Sequence, residues 1–344
     1  MGPRRGVSDP KGRCAPVAVQ TTRGQKWLWW LLLAFGVILA IIAGVALWAY
    51  QRLDGNISTD HAAARALGEE EGERPEGADE ARNILVIGHD FGSGTGNARS
   101  DTVLLLHLSA DGRRADAVHV PRDIVVDIPA CRTEDGGHSE ATTAQFNWAF
   151  QFGGAACTIR TFEGMSGIRV DHHLVIGFEG FADVVDAVGG VEVELEEAER
   201  DPNVGHDLPA GRHRLDGEQA LAYVRARVFV GDGSDLNRLA RQQEFLGRLY
   251  QRVTDERTVT DPTRLYPVLK AVTSAITADA GLDSLDELYA LAKDLRAVPD
   301  GAFGFRTVPT VPHPTEANRL RLDERVAGRL FAAIRQDREL PPAP

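Results

Sequence analysis

The sequence predicts a single α/β/α sandwich domain, a central sheet covered by helices on both faces, preceded by one transmembrane helix. Residues 27–50 form an apolar run without a single charge. The all-apolar run 84–87 and the largely apolar runs 102–108 and 115–120 have the pattern of buried strands. Further along, strand-like and helix-like stretches alternate, which within one domain means helices packed on a sheet.

The chain has 344 residues and a net charge of -12. Residues 1–26 read as a cytoplasmic tail. Within residues 1–50, Arg4, Arg5, Lys11, Arg13, Arg23 and Lys26 stand against Asp9, a balance of +5 that leaves -17 on the remainder. Trp27–Tyr50, at about 1.5 Å per residue, is long enough for a hydrocarbon core about 30 Å thick. Trp27, Trp29 and Trp30 mark one end of the run and Trp48 and Tyr50 the other, as interfacial aromatics do. The basic flank precedes the span, which predicts a single-pass protein of the cell membrane with a cytoplasmic N-terminus and residues 51–344 outside. A cleaved signal peptide is the alternative; the run is long for one, and Trp48 and Tyr50 make a poor cleavage site. The broad acidic exterior argues against nucleic acid as a partner. Cys14 then lies in the reducing compartment, whereas Cys131 and Cys157 lie where a disulfide persists, two free thiols being the alternative.

Residues 51–80, with Glu69-Glu-Glu-Gly-Glu-Arg-Pro-Glu, read as an acidic flexible linker. The domain proper is expected over 81–344, closing in a helical extension and with no further C-terminal domain. Ile84–Ile87 is the first strand, Thr102–Leu108 the second, and Ala115–Val120 the third, stopped by Pro121. Residues 141–164 read as helix broken at Gly153-Gly154. Val170–Ile176 and Val191–Leu195 are strand-like and Glu179–Val188 is helical between them. Leu236–Val253, Pro262–Thr277, Ser284–Leu295 and Asp323–Gln336 carry helical patterns, and Gly304–Val308 is a late strand.

Ligands of such sheets gather beyond strand ends. Asp90 follows the first strand, Arg99-Ser-Asp101-Thr enters the second and Pro121-Arg122-Asp123 leaves the third. The intervening Phe91-Gly-Ser-Gly-Thr-Gly-Asn lacks the dinucleotide spacing. Two aspartates from adjacent strand ends, Asp90 and Asp101, suit a hard divalent cation, magnesium or manganese, that completes its shell with phosphate and water. Residues 223–243 concentrate Arg225, Arg227, Arg238 and Arg241, and guanidinium is the planar fork that grips phosphate. Tyr223–Val228 reads as a strand with Arg225 and Arg227 on one face; Asp235 caps the next helix, on which Arg238, Arg241 and Gln242 share a face. Together these groups describe a pyrophosphate site, with Asp123 orienting Arg122 or taking a proton. Each group also has an ordinary reading: a surface ion pair, a turn at Asp123, a cap at Asp235. The ten histidines show no metal-ligand spacing, His172 and His173 read as packing or surface residues, and Ser100 and Ser166 have no nucleophile setting.

In this order the motifs resemble the LytR-CpsA-Psr family of cell-wall phosphotransferases, in its actinobacterial form. The matching pieces are Asn83–Asp90, Arg99–Thr102, Val120–Asp123, Val170-Asp-His, Phe178 onward to Val185–Val191, Leu215–Arg227 and Asp235–Gln243. The resemblance implies magnesium-dependent transfer of a glycopolymer from a polyprenyl pyrophosphate carrier to peptidoglycan through a phosphodiester. It assigns Asp90 and Asp101 to the metal, and Arg99, Arg122, Arg225, Arg227, Asp235, Arg238 and Gln242 to the pyrophosphate. Asp90, Asp101, Arg122 and Asp123 are its catalytic set. It implies a lipid tunnel, joined by the apolar stripe at Phe245, and a Cys131–Cys157 pair. His89, His119, His173 and Gly177 depart from the family pattern. A pyrophosphate hydrolase, or a non-catalytic lipid-binding scaffold or sensor, would share many of these residues. The polymer and the oligomeric state are not encoded in these motifs.

Overall fold

The computed structural model describes residues 23–77, 80–90, 99–133, 136–226, 235–299, 301–316 and 319–341. Cys14, Arg227 and the glycine loop 91–98 lie outside the described residues, as do the side chains of Asp90, Arg99, Asp235 and Arg238. The chain forms two compact units, Met1–Tyr50 and Gln51–Pro344. The described part of the first belongs to helix α1 (Arg23–Asp54), which ends within the second and whose stretch Trp27–Asp54 is long and apolar enough to cross a membrane.

The second unit begins where a linker was expected, and the expectation of a flexible 51–80 is corrected by the structure. Leu53 and Ile57 are buried, β1 (Ser58–Thr59) joins the main sheet, and α2 (His61–Glu69) packs into the core. Asp60 caps α2, its carboxylate accepting from the Ala63 N–H at 2.8 Å. Ala63, Ala66 and Leu67, spaced i, i+3, i+4, form the buried stripe. The acidic run beyond is neutralised by arginines: Glu69 pairs with Arg132, Glu70 and Glu73 with Arg160, and Glu71 with Arg169.

β2 (Arg82–Asp90), β3 (Arg99–Leu108) and β4 (Ala115–Val120) form the antiparallel centre of the sheet, and each inherits its place from an apolar run. A short ribbon follows, β5 (Val125–Ile128) paired with β6 (Thr142–Gln145), so the expected helix over 141–164 begins later, as α3 (Trp148–Ser166). α3 does break at Gly153 and Gly154. The reason is close packing: a Cβ on Gly153 would lie 2.6 Å from the Arg132 carbonyl oxygen and 3.0 Å from the Cys157 Cβ. Cys131 and Cys157 are joined as a disulfide across this contact.

Next come β7 (His172–Gly177), α4 (Phe178–Ala187) and β8 (Val191–Leu195). A hairpin of β9 (Glu199–Asp201) and β10 (His206–Leu208) leads to β11 (Gly211–Leu215), which pairs with β8. Helices α5 (Gly217–Arg225), α6 (Asp235–Val253), α7 (Glu256–Thr260) and α8 (Pro262–Ala275) follow. The chain closes with β12 (Ile276–Ala278), α9 (Leu285–Ala297), β13 (Phe303–Thr307), the ribbon β14 (Thr310–Pro312) with β15 (Leu320–Leu322), and α10 (Glu324–Arg335).

The main sheet has seven strands in the order β1-β12-β7-β2-β3-β4-β13, mixed in direction. Leu85, Ile87, Val103, Leu105, Val118 and Val120 point to one face, where α2, α3 and α10 cover them in a single cluster. The opposite face carries two smaller clusters. One gathers Ile84, Leu108, Ala115 and Leu291, and the other gathers Val185, Leu215, Tyr223 and Phe245 around α4, α5 and α6. Helices on both faces make the α/β/α sandwich.

Candidate functional site

A cavity of about 380 Å³ opens on the second face, at the ends of β2 and β7 and the start of β3. Its floor is Val86, Gly88, Thr102, Leu104 and Ile176; its walls are Phe178 and Phe181 of α4, Leu221 and Val224 of α5, and Leu246 of α6. Asp101, Arg122, Arg225 and Gln242 also line it, with Asp201, Asn203 and Val204 from the β9–β10 turn. An apolar chamber with convergent charged and amide groups suits a ligand that is lipid along its length and anionic at its head.

Asp101 owes its place to a β-bulge. Gly88 pairs with Thr102 and His89 with Ser100, so Asp101 is the extra residue of β3. Bulges bend a strand and re-aim a side chain at such sites. The register also sets Asp90 opposite Arg99.

Arg122 is held by its loop. Its carbonyl accepts from Asn147 N–H at 3.2 Å, and the Asp123 carbonyl accepts from Leu320 N–H at 3.1 Å. Arg122 Nη1 donates to Asp101 Oδ1, and Nε faces Asp123 Oδ2 at 3.7 Å without a hydrogen bond. Asp123 Oδ1 accepts from Gln145 Nε2 at 2.6 Å. Asp123 does not line the cavity; its carboxylate faces Arg122 Nε from 3.7 Å.

Arg225 arrives differently from the expectation. Tyr223–Val228 was expected to be a strand, but helix α5 runs from Gly217 through Arg225. A reciprocal capping box starts it: Asp216 accepts from Gln219 N–H, and the Gln219 side chain accepts from Asp216 N–H. Ala220 and Tyr223, one turn apart, are buried against the second-face core. These contacts outweigh the local alternation of Val224 and Ala226. The Arg225 guanidinium lies 5.1 Å from the Phe178 ring centroid, a cation–π distance. On α6, Gln242 Nε2 donates to the Val224 carbonyl at 3.0 Å.

Four expected residues, Asp101, Arg122, Arg225 and Gln242, therefore share one cavity. Phe245, expected beside a lipid tunnel, is instead buried in the core, and its neighbour Leu246 reaches the cavity while half exposed. The β9–β10 turn was not anticipated; nothing in Asp201-Pro-Asn distinguishes a cavity wall from any turn. The departures find structural places too. His89 and Gly177 are register partners, and the His89 ring stacks on Phe150 at 5.0 Å. His173 Nε2 lies 3.3 Å from Asp60 Oδ2, tying β7 to α2. His119, paired in register with Leu104, is buried, and burial pushes its imidazole down to about 4. Burial, reinforced by the Glu199 carboxylate, pushes the Tyr223 phenol up to about 12.

Fold and cavity together define an α/β/α domain with a largely apolar cavity on which charged and amide groups converge. The LytR_cpsA_psr family model matches residues 51–322, and the chain belongs to that family. It is 29% identical over 331 residues to the cell wall biosynthesis protein LcpA of Corynebacterium glutamicum, a match covering 86% of this chain and 62% of LcpA. It is 32% identical over 234 residues to TagT of Bacillus subtilis, a polyisoprenyl-teichoic acid–peptidoglycan teichoic acid transferase, covering 64% of this chain and 68% of TagT. The solved LytR-Csp2A-Psr enzyme from Actinomyces oris superposes with a TM-score of 0.58 at 24% identity, over 76% of this chain and 96% of that one. The last shows the fold.

Proposed function

We propose that this protein is a glycopolymer–peptidoglycan phosphotransferase. The observation that carries the reading is the single cavity in which Asp101, Arg122, Arg225 and Gln242 meet a wall of Val86, Phe178, Phe181 and Leu246. The likeness to TagT, a teichoic acid transferase, supports it. The apolar wall takes the first part of a polyprenyl chain, and the arginines take the pyrophosphate. A hydroxyl of peptidoglycan attacks the phosphorus that carries the glycopolymer. The new P–O bond forms as the bond to the bridging oxygen breaks, polyprenyl phosphate leaves, and the hydroxyl proton passes to solvent or a nearby carboxylate. Arg122 and Arg225 stabilise charge that grows on the bridging and non-bridging oxygens, where most of the acceleration of phosphoryl transfer originates.

The donor chemistry near the bulge suits magnesium or manganese: Asp101 offers a carboxylate at the cavity surface, and Asp90 ends the adjacent strand, opposite Arg99. Asp90 and Asp101 would hold the ion, which supplies charge neutralisation to the pyrophosphate. Arg99, Arg227 and Arg238 complete the phosphate grip in this reading, Asp235 acts as a counter-charge to the arginines, and Asp123 keeps Arg122 aimed. In this reading the basic residues ahead of the apolar run keep the N-terminus in the cytoplasm, and the catalytic unit lies outside the cell, where carrier and acceptor meet.

The deciding experiment incubates the full chain in detergent with a polyprenyl pyrophosphate-linked donor and peptidoglycan. Covalent polymer on peptidoglycan and released polyprenyl phosphate are expected. Free phosphorylated polymer without attached product would make the protein a hydrolase, and donor binding without turnover would make it a scaffold.

A further inference from the structure

Arg241 belongs to the arginine-rich stretch yet lies outside the cavity lining, with 9% of its side chain exposed. A buried guanidinium is tolerated only when its N–H groups are spent on acceptors. Nη2 donates to the Ala226 carbonyl at 2.7 Å, and Nη1 faces Glu199 Oε2 at 3.4 Å. The Cζ atom lies 5.4 Å from the Tyr223 ring centroid. Glu199 Oε2 is also 3.1 Å from His206 Nε2, across the β9–β10 hairpin. One position further on α6, Gln242 holds the Val224 carbonyl. The last carbonyls of a helix have no partner within it. Arg241 and Gln242 therefore close the end of α5 from outside.

The cavity walls that converge here come from three elements. α5 supplies Val224 and Arg225, α6 supplies Gln242 and Leu246, and the β9–β10 turn supplies Asp201 and Asn203. Arg241 stands on the second, binds the cap of the first and pairs with the strand that begins the third.

We infer that Arg241 is a positioning residue, a clasp that joins three walls of the cavity and sets Arg225 and Gln242 at its anionic end. The identity of the anion rests on the proposed function; the clasp does not. A purely structural ion pair would affect folding without selecting between the polar and apolar halves of a ligand.

The test uses the full chain in detergent, with Arg241→Met, Arg241→Lys and Glu199→Ala, and Arg248→Met as a control on the same helix. The probes are a short prenyl pyrophosphate and its parent prenyl alcohol. Arg241→Met should weaken pyrophosphate binding about tenfold or more while alcohol binding holds within about twofold, as expected when a charged group's support is lost. Arg241→Lys should recover part of the affinity, since an ammonium reaches one acceptor and not the fork. Amide exchange should quicken in residues 199–208 and 217–226 for Arg241→Met, in 199–208 alone for Glu199→Ala, and in neither for Arg248→Met. Unchanged exchange in those segments, or changed exchange with pyrophosphate affinity held within about twofold, overturns the clasp. If the unaltered protein binds no prenyl pyrophosphate, the proposed function fails and the exchange pattern alone decides. If Arg241→Met does not fold, Glu199→Ala carries the same comparison, and its failure to loosen 199–208 overturns the inference.

Discussion

The face of the sheet under α2, α3 and α10 carries one continuous core that runs from Leu85 and Val118 through Phe162 to Ile334. The face under α4, α5, α6 and α9 carries two clusters, and the cavity is bounded by residues at the margins of both, Val86 on one side and Phe181 and Val224 on the other. The first face is braced by a disulfide. Its cavity, about 460 Å³, sits at the edge between α2 and the kink of α3, lined by Asp60, His89 and Arg132. In the proposed reading stability rests mainly on the first side of the sheet, with its one continuous core, and ligand binding on the second.

That division is broken most forcefully at Phe162, fully buried on the first face. Phe162→Ala should cost about 3–5 kcal/mol in urea unfolding, with donor affinity unchanged in the folded fraction. A loss of affinity as large as the loss of stability would mean the faces are not separable. Replacing Cys131 and Cys157 by serine opens a closure with a sequence separation of 26 and should cost about 3–4 kcal/mol with little change in turnover.

On the other side, Arg122→Ala should lower the transfer rate about 10²–10³-fold, as removal of one positioned donor does. The same variant should shift the unfolding free energy by no more than about 1 kcal/mol, because its ion pairs are partly exposed. Turnover close to that of the unaltered protein would remove Arg122 from the site.

The smallest effect sharpens the boundary between cavity and core. His119 is buried next to Leu104, and its folded pKa of about 4 lies below the ordinary value of 6.5. Folding therefore favours the neutral ring. Its contribution is complete above about pH 6.5 and is lost as pH falls toward 4, in total about 3 kcal/mol at the limit. His119→Leu should flatten that part of the stability–pH curve, and an unchanged slope between pH 6.5 and 4 would assign the acid sensitivity elsewhere.

Much of the fold was legible where one physical signal dominated. The apolar runs of β2, β3 and β4 need no partner to be read, and Gly153-Gly154 interrupts a helix whatever surrounds it. β1 and α2 were hidden because composition is an average: the acids at 69–73 masked a capped helix with three buried apolar residues. Arg225 was placed on the wrong kind of element because period-two alternation over five residues is weak against a capping box and two buried side chains. β12, three residues long, was absorbed into the helix before it; only its pairing with β7 and β1 distinguishes it. Asp101, Arg122, Arg225 and Gln242 were nameable from residue type and motif. The β9–β10 turn and the buried bonds of Arg241 depend on contacts between distant segments, which no local pattern carries.

The bulge at Asp101 gives β3 two phases within one strand. Inward from it, Thr102 and Leu104 belong to the cavity while Val103 and Leu105 belong to the core. Outward from it, Ser100 pairs with His89, whose ring lies on Phe150 of α3, so an even-numbered residue has crossed to the odd-numbered side. The strand is in effect read in two frames, and the extra residue is the shift between them. Substitutions there change a letter and keep the frame. Insertion or deletion of a single residue between Arg99 and Asp101 would exchange the frames, carrying a buried serine toward the ligand and a ligand-facing acid toward the core. The spacing of this segment is therefore under as strict a constraint as its chemistry.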